Sequence, residues 1–318
     1  MIHERKRIIL KILNIIFVNS AISLVFFTNM AYANFLFGPL HVAARNGDIV
    51  TINQLIKDGA DINEFDKFTG TTPLMMACSN SNIETVKTII NAGADVNLRR
   101  QEQNPSLPST ALASAIENKD RIVIERVLLD AGANPNDFSA FYLALASGAE
   151  FEAFQLLLDA GFDVNQYAPE IHYPLFSAAT YGRADVVKAL LDKGADIKIK
   201  IPWGTTPLMV AAGSGGQRAD RPRTMQLLID AGADIQAADD TGKTALFFVV
   251  LNGREEMLTE IKMLLGAGAD PLVKTKDGMT LLMAAAMGAS DPEVVRLLIN
   301  AGADVNAQDN QGHTALWY

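Results

Sequence analysis

Cysteine is almost missing from this chain. With Cys78 alone, no internal disulfide can form. Histidine is nearly as scarce: His3, His41, His172 and His313 are the whole supply, and none sits in a His-Glu-x-x-His frame. Aromatic residues reach only 7% and charged residues 20%, with a mean hydropathy of +0.14, which excludes a disordered chain and suits a Leu/Ala-rich helical one. Positive charge is also short, at 27 Lys and Arg against 36 Asp and Glu. The net charge of −9 opposes binding to DNA, RNA or anionic lipid.

Catalytic signatures are missing too. Gly213-Ser214-Gly215-Gly216 has the look of a phosphate loop, but no Gly-Lys-Ser/Thr follows it. Ala212, two residues before Ser214, also breaks a Gly-x-Ser-x-Gly frame. Asp-x-Asn recurs at Asp61/Asn63, Asp95/Asn97 and Asp304/Asn306, yet a calcium loop needs a Gly at the sixth position and a Glu at the twelfth. It reads as turn chemistry. No catalytic residue, cofactor site or metal site is expected.

What is present is a period. Gly59, Gly93, Gly132, Gly194, Gly232, Gly268 and Gly302 each open Gly-Ala-Asp/Asn, and Gly161 opens Gly-Phe-Asp in the same series. Their spacings run from 29 to 39 residues, which signals stacked supersecondary units rather than one closed core. A second marker keeps the same register about twenty residues upstream, as in Thr72-Pro73-Leu74, Thr206-Pro207-Leu208 and Thr280-Leu281-Leu282.

Residues 174–197 show what one unit must be. Pro174 can open a helix, since the first helical residue needs no N–H donor. Leu175, Ala178 and Ala179 form its apolar face, and Gly182 ends it. A second helix presents Ala184, Val187, Leu190 and Leu191 inward and Asp185, Lys188 and Asp192 to water, and Gly194 stops it. Neither helix can bury its face alone, so units must stack. Thr72, Thr110, Thr206, Thr244, Thr280 and Thr314 stand where a hydroxyl can cap the first helix, and Ser139 offers itself in the fourth unit.

The pattern Asp-x-x-Gly-x-Thr-Pro-Leu-x-x-Ala-Ala, a Val/Leu-rich second helix, then Gly-Ala-Asp-x-Asn resembles the ankyrin repeat. The match covers residues 38–306 as eight units, with a ninth begun at 307–318. The resemblance implies an all-α solenoid of helix-turn-helix units with projecting finger loops, and a protein-binding scaffold that engages its partner through finger loops and inner helices is expected. The family's His after Pro-Leu survives as His41, while Met75, Phe176, Met209, Phe247 and Met283 fill that slot elsewhere with apolar bulk. Cys78 takes a small-residue position equivalent to Ala179 and Ala212, and is expected to be buried rather than nucleophilic.

Partner contacts are expected from aromatics in the fingers: Phe68, Tyr167 and Trp203, the last meeting either a partner or the adjacent finger. A basic loop, Gly213 to Arg223, carries Arg218, Arg221 and Arg223 as further candidates. Unit 7 is lengthened at the same place, around Arg254 to Thr259.

The first 33 residues break the period. Arg5, Lys6 and Arg7 precede an apolar stretch from Ile8 to Phe27, and Ala31-Tyr32-Ala33 has the small-x-small form of a signal-peptidase site. Residues 1–33 are therefore expected to be a cleaved signal peptide, which places residues 34–318 in the periplasm or outside the cell with no stable membrane insertion. An uncleaved inner-membrane anchor is the rival reading, although Lys11, Asn14 and Asn19 interrupt the stretch. Two further alternatives stay open: a secreted host-directed effector, and the recognition portion of a longer enzyme, which reading the gene beyond Tyr318 would reveal. Mass spectrometry of the exported protein should find Asn34 at the N-terminus. An intact Met1–Ala33 segment would favour the anchor.

Overall fold

The computed structural model describes residues 37–80, 82–100, 109–116, 120–168, 173–213, 220–252, 257–288 and 291–318. Residues 1–33, His172 and Arg218 lie outside them. Among the described residues sixteen helices follow in eight pairs. In chain order the pairs are α1 (Pro39–Asn46) with α2 (Ile49–Lys57), α3 (Pro73–Ser79) with α4 (Ile83–Asn91), and α5 (Ala111–Ala115) with α6 (Arg121–Asp130). Next come α7 (Phe138–Ser147) with α8 (Phe151–Asp159), α9 (Pro174–Thr180) with α10 (Ala184–Asp192), and α11 (Pro207–Gly213) with α12 (Arg221–Asp230). The last are α13 (Ala245–Asn252) with α14 (Met257–Gly266) and α15 (Leu281–Met287) with α16 (Pro292–Asn300). The chain divides into two compact units at Ala140/Phe141, within α7. In the first, α1, α3 and α5 pack in succession, each backed by its outer helix; in the second, α9, α11, α13 and α15 do the same. This is the all-α stacking of a repeat solenoid. Two isolated antiparallel bridges, Ala238 with Thr244 and Lys274 with Thr280, pinch finger loops.

The central pair shows why. Tyr173 is extended, Pro174 enters α9 with its φ already helical, and Leu175, Phe176, Ala178 and Ala179 are buried. Small alanines let the neighbouring inner helix approach. In α10, Ala184, Val186, Val187 and Leu190 are buried while Lys188 and Asp192 are exposed. Gly194 then adopts φ +88°, so that its N–H reaches Leu191 O (3.0 Å) and the Ala195 N–H reaches Leu190 O (2.9 Å). A Cβ at Gly194 would meet nothing within 4 Å, so it is the left-handed backbone, not space, that demands glycine. The same return bonds run from Ala94 to Ile89, Ala133 to Leu128, Phe162 to Leu157, Ala233 to Leu228 and Ala269 to Leu264.

The caps follow expectation in part. Thr72, Thr110, Thr206 and Thr280 accept from Met75, Ala113, Met209 and Met283 N–H. Thr244 does not cap: its hydroxyl is buried without a hydrogen-bond partner among the described residues. Ser139 does not cap either, because it lies inside α7 and Asp137 accepts from both its N–H (3.1 Å) and its Oγ (2.6 Å). A carboxylate two residues earlier is the stronger acceptor. His41 is buried and its Nε2 lies 3.0 Å from Thr71 O, tying the first repeat to the second within the first compact unit. Met75, Phe176, Met209, Phe247 and Met283 are buried in the equivalent slot, and the sulfurs of Met209 and Met283 lie 3.4 Å from the N–H of Thr206 and Thr280. Thr51 and Gln54 of α2 are exposed. After Asp309 a finger forms, but Thr314 opens only a single turn rather than a helix, with Trp317 N–H on Thr314 O.

Leu190 is fully buried, so Leu190→Ala should lower stability by about 2–5 kcal/mol in chemical denaturation. A loss below about 1 kcal/mol would mean that the stack collapses into the space.

Candidate functional site

Each finger begins where the outer helix stops. The Asp or Asn of Gly-Ala-Asp/Asn turns back on the chain, its Oδ1 accepting from the N–H two residues on: Asp95 to Asn97 (2.8 Å), Asp163 to Asn165 (2.9 Å), Asp196 to Lys198 (2.8 Å), Asp234 to Gln236 (3.0 Å). That is the turn chemistry expected of Asp-x-Asn. The residue two places on does more. Asn97 Nδ2 donates to Gly132 O (3.0 Å) and its Oδ1 accepts from Asn134 N–H (2.7 Å). Asn165 does the same with Gly194 O (3.1 Å) and Asp196 N–H (2.8 Å), and Gln236 with Gly268 O (2.5 Å) and Asp270 N–H (3.2 Å). A carboxamide carries an N–H donor and an oxygen acceptor side by side, so one side chain can make both bonds. Sequence reasoning missed this clamp. Its signal is an Asn or Gln four residues beyond the motif glycine.

The clamp lapses at Lys198 and Leu272, which hold the same register. Among the described residues no side chain accepts from the N–H of Asp234 or Asp304. At the first lapse lies a cavity of about 330 Å³, lined by Lys198, Lys200, Thr206, Leu208, Ala233 and Asp234 among others. The first unit has a corresponding cavity of about 250 Å³ at Asn97 and Arg99. There Asp137 is buried 3.8 Å from Arg99 and takes the hydroxyl of Thr110, so the charges offset each other.

Trp203 sits at the tip of the finger that leaves Lys198. It lies within a short 3-10 turn, Pro202–Gly204, and is 74% exposed. Its φ of +68° makes it the one described non-glycine residue in the left-handed region. For a bulky side chain that costs about 1–2 kcal/mol, so surrounding bonds must impose it. They are present: Ile201 N–H reaches Thr205 O (3.0 Å), and Asp240 N–H of the next finger reaches Trp203 O (2.8 Å). The adjacent finger thus meets the backbone of Trp203 and leaves the ring in solvent. That next finger is held by Asp239, which accepts from the Thr241 hydroxyl and from the Thr241 and Lys243 N–H groups. Loss of solvent pushes the Asp239 carboxyl up, but these donors outweigh it and hold it below the usual range.

Tyr167 is half-exposed in the same unit, 5.1 Å from the Tyr173 ring. Phe68 is exposed in the other unit, on a turn that Asp66 closes by accepting from its N–H (3.0 Å). The basic loop needs correction. Arg221 and Arg223 are not loop residues but part of the first turn of α12. Arg221 is buried, and its Nε donates to Glu260 of α14 at 2.6 Å, which makes it a packing element rather than a surface contact. Arg223 remains exposed. Met257 and Thr259 likewise belong to α14, while Arg254 lies outside the described residues. Cys78 is fully buried and burial pushes its thiol far up, which keeps it protonated and inert.

A family model for ankyrin repeats matches residues 23–100, 175–261 and 255–318, more than half of the chain. Among similar curated proteins, dynein axonemal heavy chain 12 of Bos taurus is 34% identical over 193 residues, 57% of this chain and 51% of the relative. Ankyrin repeat and SOCS box protein 6 of Homo sapiens is 32% identical over 232 residues, 64% of this chain and 53% of the relative. A putative ankyrin repeat-containing protein of Treponema pallidum is 33% identical over 138 residues, 43% of each. The chain spans about half the length of the curated relatives it matches.

Removing one partner of a buried ion pair strands the other charge. Arg221→Ala should therefore cost about 3–5 kcal/mol in denaturant titration, and Arg223→Ala within about 0.5 kcal/mol. Equal effects of the two would return Arg221 to the surface.

Proposed function

Because the chain belongs to the ankyrin-repeat family, whose repeats are protein–protein interaction modules, we propose that it is a non-enzymatic scaffold that captures a protein partner through its fingers. The observation that carries this reading is Trp203. A large aromatic held in the left-handed region and left 74% exposed has no role in packing, and rigid aromatics concentrate binding energy at protein interfaces. Tyr167, in the same unit, adds a half-exposed ring. The location proposed is the periplasm or the secreted space, on the strength of the Arg5–Arg7, apolar and Ala-Tyr-Ala series.

Photo-crosslinking with p-benzoylphenylalanine at position 203 should trap one protein partner, and the same probe at the buried position 247 should trap none. No adduct from position 203 in the native host contradicts the reading. Trp203→Gly separates function from packing. It should weaken partner capture by about 2 kcal/mol or more. It should also leave the chain as stable as before or up to about 1 kcal/mol more so, by relieving the left-handed strain. A fall in stability would make Trp203 a packing residue.

A further inference from the structure

We propose that the cavity at Lys198 and Lys200 receives a carboxylate side chain from an acidic peptide segment of the partner. This rests on the reading of the Trp203 finger as a binding surface and gives that surface its chemistry. At the neighbouring junctions an amide oxygen of Asn97, Asn165 or Gln236 accepts from the backbone N–H of the next repeat. At this junction the position is lysine, which has no acceptor to give. The Asp234 N–H is thus left for an acceptor from outside, and Lys198 and Lys200 line the same cavity. Among the described residues neither lysine forms an ion pair. The local carboxylates are already committed to their own turns, Asp196 to Lys198 N–H and Asp234 to Gln236 N–H.

An incoming carboxylate would complete the missing bond in a cavity lined by two lysines. The apolar floor of Leu208 and Ala233 can take the methylene stem of a glutamate. The corresponding cavity of the first unit cannot act likewise, because Asn97 supplies the amide acceptor and Asp137 faces Arg99. Lys200 and Trp203 are three residues apart on one finger whose base is closed by the Ile201–Thr205 bond. An extended segment with an acidic residue and a neighbouring apolar one fits that spacing. A protein segment is favoured over a free anion because of this exposed, strained tryptophan beside the charge.

The test uses the full chain, labelled with ¹⁵N and titrated with acetyl-Glu-Glu-Glu-Glu-amide, the matching glutamine peptide, and inorganic phosphate. The glutamate peptide should move the amide signals of Asp234 and of Lys198 to Trp203 saturably, at least tenfold more tightly than either control. Lys198→Asn should abolish this at least tenfold and raise Tm, since asparagine at that register restores the clamp; the raised Tm excludes misfolding as the cause. Lys200→Gln should weaken it severalfold at unchanged Tm. Glutamine peptide binding equally well, phosphate binding equally well, or Lys198→Asn binding as before would each overturn the proposal. If a crosslinked partner is found at position 203 and its capture ignores Lys198→Asn, this inference fails while the scaffold reading stands. If the glutamate peptide binds as expected and no adduct forms at position 203, the scaffold reading fails instead.

Discussion

At Gly194 the backbone turns left-handed so that the N–H groups of Gly194 and Ala195 can return to Leu191 and Leu190, and three consequences follow from that one conformation. It ends the outer helix with its last carbonyls satisfied. It drives Leu190 into the stack, where the residue is fully buried. It also turns Gly194 O and Asp196 N–H toward the preceding finger, where Asn165 takes both. Without the turn there would be no fixed pair of groups for a clamp to hold. Lateral cohesion then combines burial between inner helices, which is undirected, with an amide clamp between fingers, which sets the register.

The architecture was legible because it rests on local rules repeated in phase. The glycines marked the stops, Pro174 marked a helix start, and Leu190 and Val187 marked a buried face. Asp-x-Asn is legible as turn chemistry, but the clamp made by its Asn is not, since the bond reaches 29 to 37 residues along the chain and no local rule encodes it. Arg221 misled for a related reason. A basic run on an acidic chain suggests a surface, and its partner Glu260 lies 39 residues away. Ser139 was displaced as a cap by Asp137, two residues earlier in the same turn. In each case the deciding partner was either far in sequence or a stronger acceptor close by.

The candidate site was legible in its residues but not in its strain or charge. Trp203 stood out as an aromatic in a finger; its positive φ and the bond from Asp240 to its carbonyl come only from the structure. Lys198 is unremarked by any sequence rule, since an isolated lysine in a loop is ordinary. It becomes informative only beside Asn97, Asn165 and Gln236, as the place where the chain gives up a bond it makes elsewhere. Stability lost at one junction and an exposed aromatic on the same finger agree with a surface that a partner completes.

Amide hydrogen exchange of the free chain tests the clamp most directly. The account predicts that the Asn134, Asp196 and Asp270 N–H groups, each held by an amide side chain, exchange more slowly than those of Asp234 and Asp304. It also predicts that Lys198→Asn slows Asp234 to the rate of its counterparts. Equal exchange at all five positions, with no change on Lys198→Asn, would contradict it.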